Sequence, residues 1–152
     1  MTMRRSTYLP TEHEEQAAVM DFWRTYAPTR RLDPRLLFSI PNAQVLMGAA
    51  SNPNGVIKYL LAEGLSKGVP DLFLAVPKMF RRGASVSTSS VLWGVSEPLF
   101  AGMFIEVKRK GGKPSKEQLE MIDLLRRQGY NCCICYGADE CIRAIKGYLN
   151  DA

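Results

Sequence analysis

The chain has 152 residues, a length that fits one domain able to bury a core without disulfides or a structural metal. Its 20 Lys and Arg residues against 15 Asp and Glu residues give a formal net charge of +5, which suits a polyanionic partner without identifying one. The sequence has neither an apolar run of membrane-spanning length nor the pattern of a secretory signal, so we expect no membrane partner. Four cysteines without such a signal favour a reduced, cytoplasmic setting.

The N-terminal part of the chain predicts a helix. Thr11 and Glu14 have the form of a capping box, and the apolar spacing after them predicts a helix over about residues 12–26. We expect Pro28 and Pro34 to break the stretch that follows.

The middle of the chain predicts two strands separated by a loop and a short helix. The segment LLFSIPN is typical of a short strand, and residues 43–54 suggest a loop. VIKYLLAEG predicts a helix stopped by Gly64, and GVPDLFLAV then predicts a mostly buried strand.

The C-terminal half begins with an insertion at about residues 78–100, to which we assign no structure beyond a candidate short strand at VLWGV. MFIEVKR is the next clear strand, and the turn KGGKP leads into a helix. That helix begins at Ser115, which forms a second capping box with Gln118.

The chain closes with a strand and a helix. Gly129 ends the preceding helix, CCICY predicts a strand, and residues 138–149 carry apolar side chains at helical spacing. Helices and strands therefore mix along the whole length, which predicts an α/β fold in a single domain over residues 1–152.

Three charged residues form the candidate catalytic centre. On a strand, side chains two residues apart share a face, so Glu106 and Lys108 point together. Asp71 opens a neighbouring strand, and its carboxylate can meet Glu106 on one metal ion if the two strands pair. Two oxygen ligands with open positions suit Mg²⁺ or Mn²⁺. A solvated charged edge remains the alternative, because Glu-x-Lys triplets are common on exposed strands.

Phosphodiester hydrolysis needs the groups that this arrangement offers. A divalent metal lowers the pKa of bound water and neutralises charge on phosphate oxygens. Lys108 can position the attacking water and stabilise the developing negative charge.

A longer set of segments resembles the VRR-NUC family of PD-(D/E)XK nucleases. The segments are GLSKGVPDLFL, MFIEVKRKGGKPSKEQLEMIDLL and GYNCCICYGADECIRAIKGYL, with the early TEHEEQ and IPN. The likeness runs from about Glu12 to Leu149. It implies a restriction-endonuclease-like core, in which helices flank a central mixed sheet, and a divalent-metal phosphodiesterase activity on DNA.

The resemblance also implies roles for individual residues. Asp71 and Glu106 would be metal ligands, and Lys108 would be the catalytic lysine. Gln118 would sit beside the active site, and Glu12 would add a carboxylate near the metal or the phosphate.

Structural explanations compete for the last two residues. Gln118 is also the return partner of the Ser115 cap. Glu12, Glu14 and Glu15 all lie in a first helical turn, where any carboxylate complements the helix dipole, and only the family likeness favours Glu12.

A basic run leads out of the candidate active strand. Arg109, Lys110, Lys113 and Lys116 lie where a phosphate backbone would need positive charge, so we expect them to bind DNA. A solvated turn is the alternative.

The cysteines offer a zinc or redox alternative, because Cys132 and Cys135 have CxxC spacing. Strand alternation places Cys132 on the opposite face from Cys133 and Cys135, and the single histidine is distant in sequence. We therefore expect these cysteines to be small buried hydrophobic residues.

The chain looks like the stand-alone members of the family from bacteria and their viruses, similar in size and role to Holliday junction resolvases. The resemblance thus implies a structure-selective endonuclease of DNA repair that acts on branched DNA as a homodimer. A monomeric nuclease that processes flaps or ends is one alternative. A non-catalytic DNA-binding subunit that has kept the fold is another.

Overall fold

The computed structural model describes residues 8–41, 53–79 and 98–150. These residues form four α-helices, six strands and one 3₁₀ turn at Pro34–Leu36. The helices are α1 (Glu12–Thr29), α2 (Pro53–Ala62), α3 (Lys116–Arg127) and α4 (Ala138–Asn150). The strands are β1 (Leu37–Ser39), β2 (Leu72–Leu74), β3 (Lys78–Met79), β4 (Pro98–Phe100), β5 (Met103–Lys108) and β6 (Asn131–Tyr136).

The central sheet has the strand order β1-β2-β5-β6. Strand β2 pairs antiparallel with both β1 and β5. Strands β5 and β6 are parallel and are joined through α3. Parallel neighbours need a crossover of this kind. The sheet is therefore mixed and flanked by helices, which confirms the fold class expected from the sequence.

The two faces of β5 are both covered. Ile105 and Val107 are buried in the main apolar core, which α1 and α4 complete with residues such as Trp23 and Ile145. Alternation turns Glu106 and Lys108 to the opposite face, and both are buried there as well. A charged pair thus lies under cover on the face away from the core.

Helix α1 extends beyond its predicted end. Its Thr11–Glu14 capping box is present, but the helix runs to Thr29 and contains Pro28, so the predicted break at Pro28 is wrong. Pro28 lies in the last turn and removes a single N–H donor there, while the buried Ala27 packs this turn into the core. The chain leaves the helix at Arg30, whose N–H donates to the Ala27 carbonyl at 3.0 Å.

The ends of the insertion pair with each other. Strands β3 and β4 form a separate two-stranded antiparallel sheet, in which Lys78 lies opposite Phe100. We did not predict this pairing, because strands of two and three residues are too short to show a period. The candidate strand VLWGV and residues 43–52 of the predicted loop lie outside the described residues. Residues 53 and 54, the last two of that loop prediction, instead begin α2.

No helix among the described residues is both long enough and apolar enough to cross a membrane.

Candidate active site

Strand pairing brings Asp71 to Glu106. In the antiparallel register Leu72 lies opposite Ile105, so one further step places Asp71 opposite Glu106 on the same face. The Asp71 carboxylate accepts a hydrogen bond from the Val107 N–H at 2.9 Å. This bond fixes the aspartate against β5, between the two charged residues of that strand.

Glu106 is fully buried, and its two oxygens have different surroundings. Oε1 lies 2.6 Å from Lys108 Nζ and accepts a hydrogen bond from Gln118 Nε2. Oε2 has no hydrogen-bond partner among the described residues. Burial raises the pKa of Glu106 to about 7, with further upward contributions from the Asp71 and Glu12 charges, while the hydrogen bond and the charge of Lys108 oppose the rise.

Lys108 is held as a cation by the carboxylates around it. Burial by itself lowers the pKa of Lys108, but the hydrogen bond to Glu106 and the charges of Glu106, Glu12 and Asp71 raise it, and the net shift is upward. The ammonium group is therefore a fixed positive charge in a poorly hydrated place. Such a group can stabilise negative charge more strongly than an exposed lysine can.

Gln118 makes two kinds of contact, one within its own helix cap and one to Glu106. Its Oε1 accepts the Ser115 N–H at 2.8 Å, while the Ser115 hydroxyl accepts the Gln118 N–H at 3.2 Å, which completes the capping box of α3. Because Oε1 is occupied in this way, the amide NH₂ faces Glu106. The helix cap thus orients the donor that binds the buried carboxylate.

Among the three glutamates of the first helical turn, Glu12 lies at the site. Its Oε2 is 3.8 Å from Lys108 Nζ, and its side chain remains about half exposed. It also lines the cleft that contains Lys108 and Gln118.

The other two glutamates have structural partners. Glu14 accepts the Thr11 N–H at 2.8 Å and the Tyr8 hydroxyl, and these bonds lower the pKa of Glu14 to about 2. Glu15 accepts the Ala138 N–H at 2.7 Å, so it satisfies a free donor at the start of α4. The structure therefore separates three residues that the sequence could not distinguish.

The basic run forms an exposed turn at the end of β5. The Gly112 N–H donates to the Arg109 carbonyl at 2.9 Å, which closes the turn. Lys113 lines the same cleft as Lys108. Lys116 lies 3.5 Å from Glu120 at the surface, so a carboxylate partly neutralises its charge. Four cations are exposed here: Arg109, Lys110, Lys113 and Lys116.

The donor set fits a divalent ion that keeps much of its water. Glu106 Oε2 is a buried carboxylate oxygen without a partner among the described residues, and Asp71 lies opposite on the same face. In the described part of the chain, no three His, Cys, Asp or Glu side chains are grouped to hold a metal alone. Mg²⁺ sites commonly use one or two carboxylates, and waters and phosphate oxygens complete the shell.

The four cysteines are free thiols, and they belong to no group of three or more metal-binding side chains among the described residues. The sulfur atoms of Cys133 and Cys135 lie 3.5 Å apart on one face of β6, whereas Cys132 lies on the other. Cys135 and Cys141 belong to the apolar core, as expected for small hydrophobic residues.

A cleft beside the site contains residues that the sequence analysis missed. It has a volume of about 590 Å³ and includes Ile57 and Leu61 of α2 and Lys67 of the following loop. Ile57 and Leu61 are four residues apart, so helical spacing could have placed them on one face. Lys67 precedes the Pro-Asp pair by only three residues, but nothing in its local sequence indicates a cleft.

A mixed sheet that brings an aspartate, a glutamate and a lysine such as Asp71, Glu106 and Lys108 to one face is typical of the α/β nuclease class called PD-(D/E)XK. The family model described as VRR-NUC domain matches residues 14–139, which is more than half of the sequence, and the chain therefore belongs to the VRR-NUC family. Membership makes it a nuclease-type domain with DNA as the implied substrate. Glu12 lies just before the matched range.

A solved structure described as a VRR_NUC domain protein resembles this chain along nearly all of its length. The TM-score is 0.64 at 20% sequence identity, and the similarity covers 93% of this chain and 89% of the other. At this level of identity the likeness supports the fold alone. A comparison with curated proteins gave no match.

Proposed function

We propose that this protein is a Mg²⁺- or Mn²⁺-dependent, structure-selective DNA endonuclease that cuts four-way junctions as a homodimer. The observation that carries the proposal is the convergence of Asp71, Glu106 and Lys108, with Glu106 Oε2 left without a described partner. A buried carboxylate oxygen without a hydrogen bond is unfavourable, and a cation at that point offsets the loss.

Each residue then has a definite task. Asp71 and Glu106 would hold the ion, and the ion would supply an activated water and neutralise phosphate charge. Lys108 donates to the attacking oxygen or to the phosphate as negative charge develops there. Gln118 binds Glu106 Oε1, and Oε2 remains without a hydrogen-bond partner among the described residues. Glu12 faces Lys108 across the entrance and adds a further carboxylate.

Substrate selection would depend on the shape and phosphates of DNA. The exposed cations of the basic turn adjoin the site, and such contacts position a backbone without reading bases. A branched DNA presents phosphates in an arrangement that linear duplex lacks. This supports branched DNA over linear duplex.

Symmetry supports the homodimer. The described residues of one chain carry one candidate site, whereas resolution of a four-way junction takes two symmetric cuts. Two copies related by a two-fold axis would supply both.

The test is cleavage of three labelled substrates: a four-way junction, a 5′ flap and a linear duplex. Each is incubated with Mg²⁺ or Mn²⁺, with EDTA as the metal-free control. We expect cutting of the junction, no cutting in EDTA, and loss of cutting by Asp71→Asn and Lys108→Met. Wild-type rates in either variant would refute the active site, and cutting of linear duplex alone would refute the junction proposal.

The oligomeric state needs a separate experiment. Wild type and a tagged Lys108→Met variant are mixed, and dimers containing one copy of each are purified through the tag. A functional dimer would nick one strand of the junction without resolving it.

The two alternative functions predict other results. A monomeric flap or end nuclease would elute as a monomer and prefer the flap. A non-catalytic subunit would bind these DNAs and cut none of them under any metal condition.

A further inference from the structure

The cleft beside the active site is lined by two chemically different sets of residues. One set is Glu12, Lys108 and Gln118 of the candidate catalytic centre. The other set, the aliphatic wall, consists of Ile57, Leu61, Leu65 and Val69 from α2 and the loop after it. The aliphatic wall thus shares one cleft with the place where a phosphate would react.

The aliphatic wall is partly open to solvent, because Leu61 is exposed and its other residues are half-buried. Leu61 is 44% exposed although it lines a concave surface. A phosphate backbone gains nothing from aliphatic carbon, because its contacts are ionic and hydrogen-bonded. A nucleobase presents an apolar face of suitable chemistry, and bases stack on side chains only where they are unpaired and out of the helix.

The wall is held in a fixed position relative to the catalytic residues. Gly68 has φ +79°, and a Cβ at this residue would lie 2.3 Å from the Glu117 carbonyl oxygen. The loop therefore packs directly against the first turn of α3, one residue before Gln118. Only glycine permits this approach, so the cleft keeps its shape through backbone contact.

Lysines at the edge of the cleft suit the phosphates on either side of such a base. Three lysines line it: Lys67, Lys108 and Lys113. Glu117 also lines the cleft, where its charge is balanced by Lys67 and Lys116 nearby. With three lysines against Glu12 and Glu117, the charged residues that line the cleft are positive in sum.

We infer that this cleft binds one unpaired nucleotide of the strand that is cut, with its base against the aliphatic wall and its phosphates at the lysines. A volume of about 590 Å³ lies within the range of small-molecule sites and accommodates a nucleotide. The inference rests on the proposed function and narrows its substrate class. The preferred DNA offers a nucleotide that leaves its base pair beside the cleaved bond. Base pairs at an open branch point lack a stacked neighbour on one side, so they open more readily than pairs within intact duplex.

The first experiment measures binding in EDTA, so that no cleavage is required. Two branched DNAs are compared that differ only in one nucleotide next to the branch, which is either a normal unpaired nucleotide or an abasic one. We expect wild type to bind the abasic DNA about 10-fold more weakly, the size of one lost base contact. Equal affinity for the two DNAs at every position tested around the branch would overturn the inference.

Variants test whether the aliphatic wall is responsible. Leu61→Ser should remove the preference for the base, so that the two DNAs bind alike. Leu124→Ser is the matched control, because Leu124 is 46% exposed and does not line the cleft, and it should retain the preference. Retention by both variants would contradict the assignment of the base to this wall.

A fluorescent base provides a second measurement on the unaltered protein. 2-Aminopurine at the same position is quenched while it stacks in DNA, so transfer to the aliphatic wall should increase its emission. No increase at any position near the branch contradicts the inference. Absence of cleavage with Mg²⁺ and Mn²⁺ would instead refute the proposed function, while the binding preference in EDTA would still be measurable.

Discussion

The two faces of strand β5 are equally buried, but they differ in chemistry. Ile105 and Val107 join an apolar core between the sheet and helices α1 and α4. Glu106 and Lys108, one residue away from each, form a charged pair on the opposite face under α3. The first face gains stability from burial, whereas burial on the second face opposes the charged form of Glu106.

The six residues of β5 therefore serve two purposes: one face stabilises the fold and the other carries the candidate catalytic groups. Burial on the core face follows from apolar surface removed from water. The charges of the other face are retained although replacement of buried ion pairs by apolar residues is often neutral or stabilising. We therefore expect substitutions on the charged face to lower activity per folded molecule, whereas substitutions on the core face should lower stability and leave that activity unchanged.

The largest effect is expected on the charged face. Lys108→Met and Glu106→Gln should each lower kcat by about 100-fold or more, because each removes a group that acts on the transition state. Each replacement keeps the side-chain length but removes one partner of a buried ion pair, so we also expect a loss of stability of up to about 3–5 kcal/mol, and kcat is measured per folded molecule. Cleavage of labelled junction and calorimetry measure the two quantities. If a variant lost much stability but kept its activity, the charged face would be structural and not catalytic.

On the core face, Ile105→Ala should lower the free energy of unfolding by about 2–5 kcal/mol, because Ile105 is fully buried and its truncation leaves a cavity. Activity per folded molecule should be retained. Urea denaturation gives the stability change, and cleavage is measured at a temperature where the variant is folded. Ile105→Val is the milder control, with an expected loss of about 1 kcal/mol.

Gln118 connects the charged face to α3. Gln118→Ala should lower activity by roughly 10-fold, in line with one lost hydrogen bond to a charged group. Ser115→Ala removes the cap hydroxyl and keeps the amide, so it should lower stability by about 1 kcal/mol with a smaller loss of activity. Equal activity losses in the two variants at matched stability would mean that Gln118 acts only as a cap.

The glutamates of α1 give the smallest and sharpest comparison. Glu15→Ala should lower stability by about 1 kcal/mol, because the Ala138 N–H loses its acceptor, and should not change cleavage. Glu12→Gln should weaken cleavage and leave stability unchanged, since Glu12 is half exposed and lies 3.8 Å from Lys108. If Glu15→Ala lowered kcat and left stability unchanged, Glu15 and not Glu12 would be the glutamate that serves cleavage.

Strong periodic signals in the sequence predicted most of the fold. The capping boxes at Thr11 and Ser115 are present as predicted, and the strand at MFIEVKR became β5. The end of α1 at Thr29 was missed, because one proline in a last turn removes little. The β3–β4 pairing was missed because its strands contain two and three residues.

The candidate site could be predicted only as far as strand alternation and the family resemblance indicate it. Alternation placed Glu106 beside Lys108, but it could not show that Gln118 joins them through its own helix cap. No local pattern distinguishes Glu12 from Glu15, because their partners lie about 100 residues away in the sequence. Contacts between residues so far apart in the sequence become visible only in the folded structure.

The double use of Gln118 has a consequence for local unfolding. First turns of helices open more readily than the rest of a fold, since their backbone donors depend on side-chain caps. When the first turn of α3 frays, Ser115 releases the Gln118 amide, and Glu106 loses a hydrogen bond at the same moment. Activity would then fall in mild denaturant before the sheet unfolds. Hydrogen exchange of the amides at the start of α3 would measure how often the hydrogen bond between Gln118 and Glu106 is broken.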